Sequence, residues 1–137
     1  MLPIKELYAM NGTIKIFFDT CAVIKLLDKQ YDLISLGIDR DEAQFLTSVI
    51  VRMELLSKKQ ITDFEEQRIL GFLDDLTVIP LSEEIEEEAI ALRRSTKLKL
   101  PDSIVAAASI VLDAILLTDD KALLNLSWPG FRAQNIL

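Results

Sequence analysis

The sequence predicts an α/β protein in which a central, mainly parallel sheet is flanked by helices in three layers. Segments typical of strands alternate with segments typical of helices, which favours parallel strands joined by helical crossovers. Two strand segments, residues 14–18 and 114–117, are apolar at nearly every position, as expected for strands covered on both faces. No repeat, low-complexity tract or flexible linker divides the 137 residues, so we predict a single domain.

The first half of the chain contains two predicted strands and three predicted helices. The first strand is β-branched and aromatic, and it ends sharply at Asp19. Thr62 opens the third helix, because Glu65 three residues later completes a capping box. In chain order the segments are a strand at 13–18, a helix at 20–29, a strand at 45–48, a helix at 49–59 and a helix from 62.

The second half continues the alternation of strands and helices. Pro80 stops a strand, and Ser82 caps the helix that follows. Pro101 suits the first position of the next helix, because the missing N–H of proline has no partner there in any case. In chain order the segments are a strand at 76–79, a helix from 82 to about 96, a helix at 101–113, a strand at 114–118 and an edge strand near 131–136.

The composition excludes several classes of site. Without histidine there is no Ser-His-Asp or Cys-His pair and no histidine-ligated metal. The single cysteine, Cys21, excludes a disulfide framework and a cysteine-rich zinc site. Carboxylates remain as the groups that could support catalysis, and their oxygens are the ligands that hard cations such as Mg²⁺ or Mn²⁺ prefer. The net charge of −7 argues against a protein that coats nucleic acid, but it is compatible with a nuclease built on an acidic metal site.

The N-terminal residues predict no secretory signal, because they lack a basic start followed by an apolar run. The most apolar stretch, residues 104–117, contains Ser109 and Asp113 and is too short to span a bilayer. We therefore expect a soluble, cytoplasmic protein with a reduced cysteine and no membrane partner. Residues 1–12 are expected to form a flexible N-terminal extension. Met10 lies just before the first strand and is a second candidate start, in which case residues 1–9 are a frayed extension.

Acidic residues follow both apolar strands at the point where each strand ends. Asp19 follows the first strand, and Asp119 and Asp120 follow the strand at 114–118. Parallel strands place these ends on the same edge of the sheet, where α/β proteins form their sites. Each acid also has a structural interpretation. Asp19 suits the N-cap of the next helix, and of the adjacent pair we expect one acid to cap a helix and the other to face the site.

Two further acids belong to apolar helices. Glu54 lies in a helix that is apolar nearly all round, so we expect it to be buried and to need a partner, either Lys58 four residues later or a metal. Asp102 follows Pro101 in a first helical turn, where an acid interacts well with the helix dipole. The rest of that helix is so apolar that we expect it to pack centrally on the sheet, with Asp102 near the strand ends.

Carboxylates brought this close together repel each other, and each raises the pKa of the others. A divalent cation relieves that repulsion and activates both a phosphoryl oxygen and water. In a chain without histidine, metal-bound water is the expected nucleophile. The residues therefore indicate a metal site for phosphoryl chemistry at one edge of the sheet.

Four motifs occur in an order that is typical of one family. They are Phe-Phe-Asp-Thr at 17–20, Ser-Val-Ile-Val-Arg-Met-Glu-Leu at 48–55, Leu-Pro-Asp-Ser-Ile-Val-Ala-Ala at 100–107 and Leu-Thr-Asp-Asp at 117–120. With these motifs the chain resembles a PIN domain, in particular the VapC-type toxin ribonucleases of bacterial toxin–antitoxin systems. The resemblance covers residues 14–123, and Leu-Pro-Asp opening an Ala-rich helix is its most specific part.

The resemblance implies a three-layer PIN-like fold and a cluster of acids that binds Mg²⁺ or Mn²⁺. The fourth acid of the family usually completes Thr-x-Asp after a strand, which leaves Asp119 in a supporting position. Thr20 and Thr118 match hydroxyl positions that commonly support the site. The acids that match the metal-binding and catalytic positions are Asp19, Glu54, Asp102 and Asp120.

The implied function is metal-dependent endoribonuclease activity on RNA, with a cognate antitoxin protein as partner and a homodimer as the assembly. The apolar residues between 24 and 38 would then line a groove for an antitoxin peptide or a dimer contact, or simply belong to the core. Three positions depart from the family pattern: Cys21 replaces a common Asn, Leu123 replaces a common aromatic, and Asp113 stands near a usual Gly. None of the three is a matched acid.

Basic residues precede Asp102 and have two interpretations. In one they complement the dipole at the C-terminus of helix 82–96, opposite the acidic run at 83–88. In the other they hold RNA phosphates, because in an acidic protein a local basic patch must offset the overall repulsion. In the tail, Trp128 packs on the body of the protein or on a second subunit, or it stacks on a base. The basic residues are Arg93, Arg94, Lys97 and Lys99.

Other classes of function fit the acids less well. A PIN-like binding module without catalysis is the main alternative, and the intact acids argue against it. A receiver-like phospho-acceptor needs an Asp at the end of a middle strand, which neither 45–48 nor 76–79 provides. A haloacid-type phosphatase needs Asp-x-Asp after the first strand, and Asp19-Thr20-Cys21 lacks it.

Overall fold

The structure, a computed structural model, describes residues 14–29 and 43–135. The expected extension at 1–12, the second candidate start at Met10 and the apolar residues at 33–38 lie outside the described residues. Five strands and six helices alternate along the described part of the chain. No helix within it is long and apolar enough to cross a membrane.

All five strands belong to one sheet. They are β1 (Ile14–Phe18), β2 (Ala43–Ser48), β3 (Thr77–Ile79), β4 (Ile115–Leu117) and β5 (Ala133–Gln134). Their order is β3-β2-β1-β4-β5 and every neighbouring pair is parallel, so the sheet is entirely parallel rather than mainly parallel. The carboxyl ends of the central strands β1 and β4 consequently lie side by side at one edge of the sheet.

The six helices complete the predicted three-layer α/β architecture. They are α1 (Thr20–Asp28), α2 (Val49–Leu56), α3 (Asp63–Asp74), α4 (Glu83–Ser95), α5 (Leu100–Val111) and α6 (Lys121–Leu124). The capping box predicted at Thr62 is present: its Oγ1 accepts the Glu65 N–H at 3.1 Å and donates to Glu65 Oε1 at 3.2 Å. The Ser82 side chain caps α4 by accepting the Ile85 N–H at 3.2 Å.

The core is built around β1 and α5. Phe17 and Phe18 are fully buried, and the Phe18 ring packs edge-on against Phe72 with centroids 6.0 Å apart. Helix α5 packs against α4 and against strands β2 and β4, as predicted. Its residues Ala106–Ala108 are buried, and their small side chains let the helix backbone approach its neighbours closely. This central packing places the first turn of α5, with Asp102, near the strand ends.

Several elements are shorter than the sequence predicts. Helix α2 ends at Leu56 instead of residue 59. Immediately after it, the Ser57 hydroxyl donates to the Met53 carbonyl of the last turn. Gln60 then adopts a positive φ of 62°. Helix α5 ends at Val111, and Asp113 adopts a φ of 54°. The left-handed conformation at Asp113 explains why a glycine is usual near this position, and aspartate is one of the residues that tolerates it. The predicted tail strand is reduced to the two residues of β5, which pair only with β4 among the described strands.

Candidate functional site

The ends of β1 and β4 are joined by hydrogen bonds that continue beyond the strands. The Asp19 N–H donates to the Leu117 carbonyl at 3.1 Å, which holds the first residue after β1 beside the last residue of β4. The Thr118 N–H donates to the Gln134 carbonyl at 3.1 Å, so β5 supports the same turn from the other side. The topology thereby places Asp19 and Thr118 next to each other, although 99 residues separate them in the chain.

Asp19 is buried, with 6% of its surface exposed, and hydrogen bonds engage both carboxylate oxygens. Oδ1 accepts the Thr20 N–H at 2.8 Å, which confirms the predicted helix cap. Oδ2 accepts from the Thr118 hydroxyl at 2.8 Å and from the Cys21 thiol at 3.5 Å. Burial raises the pKa of Asp19 despite these hydrogen bonds, and the charge of Asp120 adds to the rise. The cap and site interpretations therefore both apply to the same carboxyl group.

Thr118 couples two of the predicted acids. Its fully buried hydroxyl donates to Asp19 and accepts the Asp120 N–H at 3.0 Å. Asp120 in turn caps α6, because its Oδ1 accepts the Leu123 N–H at 3.1 Å. The sequence led us to expect that one acid of the Asp119–Asp120 pair caps and the other faces the site. That division was wrong, because Asp120 is the cap and is also the acid whose charge acts on Asp19.

Glu54 reaches the site from α2. Its Oε1 accepts the Thr20 hydroxyl at 3.2 Å, which ties α2 to the first turn of α1. The alternative partner, Lys58, pairs instead with Glu65 at 2.6 Å. The expectation that Glu54 is buried was wrong, because Glu54 is exposed. The buried residues of α2 are Val51 and Leu55, and Ile50 and Leu56 pack partly against the core. Partial desolvation and the neighbouring Asp19 charge nevertheless raise the pKa of Glu54.

Asp102 shows most clearly that four carboxylates share this region. Burial raises its pKa to about 6, and the charges of Asp120, Asp19 and Glu54 each add to the rise. Lys99 acts in the opposite direction. The charges of the other three acids that the motifs selected therefore all act on Asp102.

The cluster suits a divalent cation because its donor atoms are of the right type, although their positions do not form a complete coordination shell. Its donors are carboxylate oxygens, which hard cations such as Mg²⁺ and Mn²⁺ prefer. The repulsion that raises the pKa of Asp102 is the charge imbalance that a cation would relieve. Within residues 14–29 and 43–135, however, no three Asp, Glu, Cys or His side chains lie close enough together to hold an ion as they stand.

Asp119 has different partners from the other acids. Its Oδ2 pairs with Lys25 Nζ at 3.2 Å, and its N–H donates to Cys21 Sγ at 3.3 Å. Contacts with Cys21 and Lys25 lower the pKa of Asp119. Burial raises the pKa of the Cys21 thiol to about 12, so the sulfur is protonated at neutral pH and serves as a hydrogen-bond partner. Lys25 was not among the residues predicted for the site, although its position four residues after Cys21 places both on one face of α1.

The predicted phosphate-binding residues surround the loop between α4 and α5. All four are exposed. Arg93 donates to the Leu98 carbonyl at 2.7 Å, and Arg93 and Arg94 line a shallow depression with Ile90 and Leu100. Lys99 is the basic residue whose charge acts on Asp102. In the tail, Trp128 Nε1 donates to Glu88 at 2.8 Å, so this ring packs on the body of the protein. Leu123 fills its position as a fully buried residue.

Comparison with known proteins identifies the family of this fold and acid cluster. A family model for the PIN domain matches residues 16–129, which is most of the chain. The chain belongs to the PIN domain family. No curated protein matches the sequence significantly. The PIN assignment confirms the resemblance drawn from the motifs and the predicted three-layer fold.

Several solved structures with the same fold come from toxin–antitoxin complexes. A chain from a Klebsiella pneumoniae toxin–antitoxin complex is 28% identical, with a TM-score of 0.66 over 88% of this chain and 96% of that one. VapBC2 from Rickettsia felis, bound to a promoter DNA fragment, gives a TM-score of 0.76 at 20% identity over 89% of this chain and 98% of its own. VapBC-1 from nontypeable Haemophilus influenzae gives 0.72 at 17% identity over 89% and 98%. This PIN domain therefore spans nearly the whole length of its structural neighbours.

Proposed function

We propose that this PIN domain is a divalent-metal-dependent endoribonuclease and the toxin of a toxin–antitoxin pair. The observation that supports the proposal most strongly is the convergence of four acids from four separate segments on one edge of the sheet. The proposed catalytic and metal-binding residues are Asp19, Glu54, Asp102 and Asp120. Mg²⁺ or Mn²⁺ is the proposed cofactor, because these ions prefer oxygen ligands.

In this proposal the chain's own residues orient the carboxylates before substrate arrives. Thr118 and the Thr20 N–H fix the Asp19 carboxylate through its two oxygens, and the Thr20 hydroxyl orients Glu54. The chemistry that a divalent cation supplies in such a site is Lewis-acid activation of a phosphoryl oxygen and of water. Because the chain contains no histidine, proton transfer falls to carboxylates and water.

We further propose that the basic residues in the last turn of α4 and in the loop to α5 contact RNA phosphates. The net charge of −7 repels RNA, so binding near the acids needs local positive charge. Lys99 is the best placed by its electrostatic proximity to Asp102. The other proposed phosphate contacts are Arg93, Arg94 and Lys97.

An antitoxin protein and a second copy of the chain are the proposed partners, in the cytoplasm. The structural neighbours support the antitoxin, because they are parts of toxin–antitoxin complexes. A groove of about 440 Å³ between α1, α2 and α3 combines apolar and charged side chains, as a binding surface for a protein segment requires. Exposed Ile24 lines it beside Leu27, and charged Lys58, Glu65 and Arg68 surround them.

Thermal unfolding tests the metal site, and an RNA cleavage screen then tests the activity. Mn²⁺ is expected to raise the melting temperature of the wild type relative to EDTA, because a ligand that binds only the folded state stabilises it. Asp102→Asn is expected to lose this response and all RNA cleavage, whereas Glu87→Gln, the same charge change on the exposed face of α4, keeps both. A wild type indifferent to millimolar Mn²⁺ would contradict the metal site. Metal binding without cleavage of any RNA would favour the inactive binding module.

A further inference from the structure

Lys25 and Asp119 form an ion pair at the margin of the carboxylate cluster. Lys25 Nζ lies 3.2 Å from Asp119 Oδ2, and the two side chains are 32% and 36% exposed. Lys25 belongs to α1, and Asp119 belongs to the turn between β4 and α6. An ion pair this exposed contributes little to the stability of a fold. The position of the Lys25–Asp119 pair beside the carboxylate cluster therefore suggests a role other than stabilising the fold.

Two contacts hold Asp119 on one face of α1. Cys21 and Lys25 are four residues apart and therefore neighbours on the helix surface. Cys21 Sγ accepts the Asp119 backbone N–H at 3.3 Å, and Lys25 binds the carboxylate of the same residue. The backbone and the side chain of Asp119 are thus both directed toward α1.

The residues on either side of Asp119 are directed toward the cluster instead. Thr118 donates to Asp19 at 2.8 Å and accepts the Asp120 N–H at 3.0 Å. The Asp120 carboxylate is the one of the adjacent pair whose charge acts on Asp19 and Asp102. The Asp119 and Asp120 carboxylates are adjacent and chemically alike, but they have different surroundings. Lys25 accounts for the difference, because it pairs with Asp119.

We propose that Lys25 is a positioning residue that selects Asp120 over Asp119 as the fourth cation ligand. It neutralises the Asp119 carboxylate and holds it on α1, which prevents Asp119 from competing for the cation. The inference rests on the proposed function, because it requires that the carboxylate cluster binds a cation.

Mn²⁺ titration calorimetry of the full chain tests this role without relying on activity. Asp120→Asn is expected to weaken Mn²⁺ binding by at least about 10-fold. Adding Lys25→Met to that variant frees Asp119 to replace the missing ligand, so most of the affinity should return. Lys25→Met alone should change the affinity by less than about 3-fold, because Asp120 is still present. Lys29→Met, one turn further along the chain, makes the same charge change and should recover nothing in the Asp120→Asn background.

The design separates ligand replacement from a simple charge effect and from misfolding. Adding Asp119→Asn to the double variant should abolish the recovery. Equal tightening by Lys25→Met in both backgrounds, or no recovery in the Asp120→Asn background, overturns the inference. Lys25→Gln provides the same test if the Met variant does not fold. If Asp120→Asn binds Mn²⁺ as tightly as the wild type, the inference also fails. A wild type that binds no Mn²⁺ contradicts the proposed function itself.

Discussion

At the residue scale, Asp19 combines a helix cap with a position in the carboxylate cluster. Its Oδ1 caps α1, and its Oδ2 accepts the Thr118 hydroxyl. The cap fixes the carboxylate at the end of β1, and burial raises its pKa. The helix cap and the proposed place in the cluster therefore belong to the two oxygens of one carboxylate. Loss of the carboxylate would remove both the cap and the hydrogen bond from Thr118, whereas the backbone hydrogen bond to Leu117 would remain.

The raised pKa of Asp102 makes the stability of the metal-free protein depend on pH. The Asp102 folded-state pKa of about 6 exceeds its ordinary value of 3.8, so the folded protein binds this proton more tightly than the unfolded chain. Stability attributable to Asp102 therefore falls as the pH rises between these two values, and the penalty is complete above about pH 6. In EDTA at about pH 8, Asp102→Asn should raise the free energy of unfolding by about 1 kcal/mol, after allowance for solvent screening and for the helix-dipole interaction that the substitution removes.

Urea denaturation at two pH values measures this effect. The gain should shrink toward about pH 5, where Asp102 in the folded protein is largely protonated. Glu87→Gln should show no comparable pH dependence, because Glu87 is exposed on α4. An Asp102→Asn variant that is less stable than the wild type in EDTA at both pH values would contradict the conclusion that burial, together with the neighbouring negative charges, destabilises the ionised Asp102.

At the element scale, the end of α5 is determined by one residue in a left-handed conformation. Asp113 has a φ of 54°, and its N–H donates to the Ile110 carbonyl at 3.0 Å. This turn reverses the chain into β4, and β4 carries Thr118 and Asp120 to the site. The same left-handed requirement explains why glycine is usual in this region.

Substitutions at Asp113 should therefore separate by backbone conformation. Asp113→Gly is expected to be more stable than Asp113→Ala by about 1 kcal/mol, because glycine adopts a positive φ without steric cost. Both variants remove the ion pair with Arg132, so the difference between them isolates the backbone effect. Equal midpoints for the two variants in chemical denaturation would refute this explanation.

At the scale of the whole molecule, the balance of charge opposes the proposed substrate. The chain carries a net charge of −7, and four of its acids gather at one edge of the sheet. RNA must therefore be attracted by a local feature, and the exposed lysines between α4 and α5 are the nearest to Asp102 in the chain. The field at that edge, rather than the total charge, is expected to determine where RNA binds.

Salt dependence of cleavage tests this arrangement. Lys97→Gln combined with Lys99→Gln should lower kcat/KM and flatten its dependence on salt, by a slope of about 0.7 for each phosphate of a single strand that the variant no longer neutralises. Lys29→Gln combined with Lys59→Gln makes the same change in net charge at other exposed positions and should have a smaller effect on both quantities. Equal effects of the two pairs would show that only total charge matters.

The sequence by itself determined the alternation of strands and helices and the helix caps, and it selected the four acids as candidates. These features depend on short-range chemistry: apolar runs bury, Thr62 and Ser82 cap, and Pro101 opens a helix. The motifs that carry Asp19, Glu54, Asp102 and Asp120 are likewise local, so the sequence contained them in full. The parallel sheet followed from the alternation, which predicted that the ends of β1 and β4 share one edge.

Only the tertiary structure decided which partners those residues have. In the folded protein Lys58 pairs with Glu65 instead of Glu54, and the Glu54 side chain is exposed. Asp120 is both a helix cap and a member of the cluster. The tertiary structure also paired Lys25 with Asp119 across 94 residues of chain. Such pairings depend on the packing of α1 and α2 around the sheet and on the rotamer each long side chain adopts there. Neither is encoded in the spacing of residues along the chain, because spacing constrains only neighbours on one element.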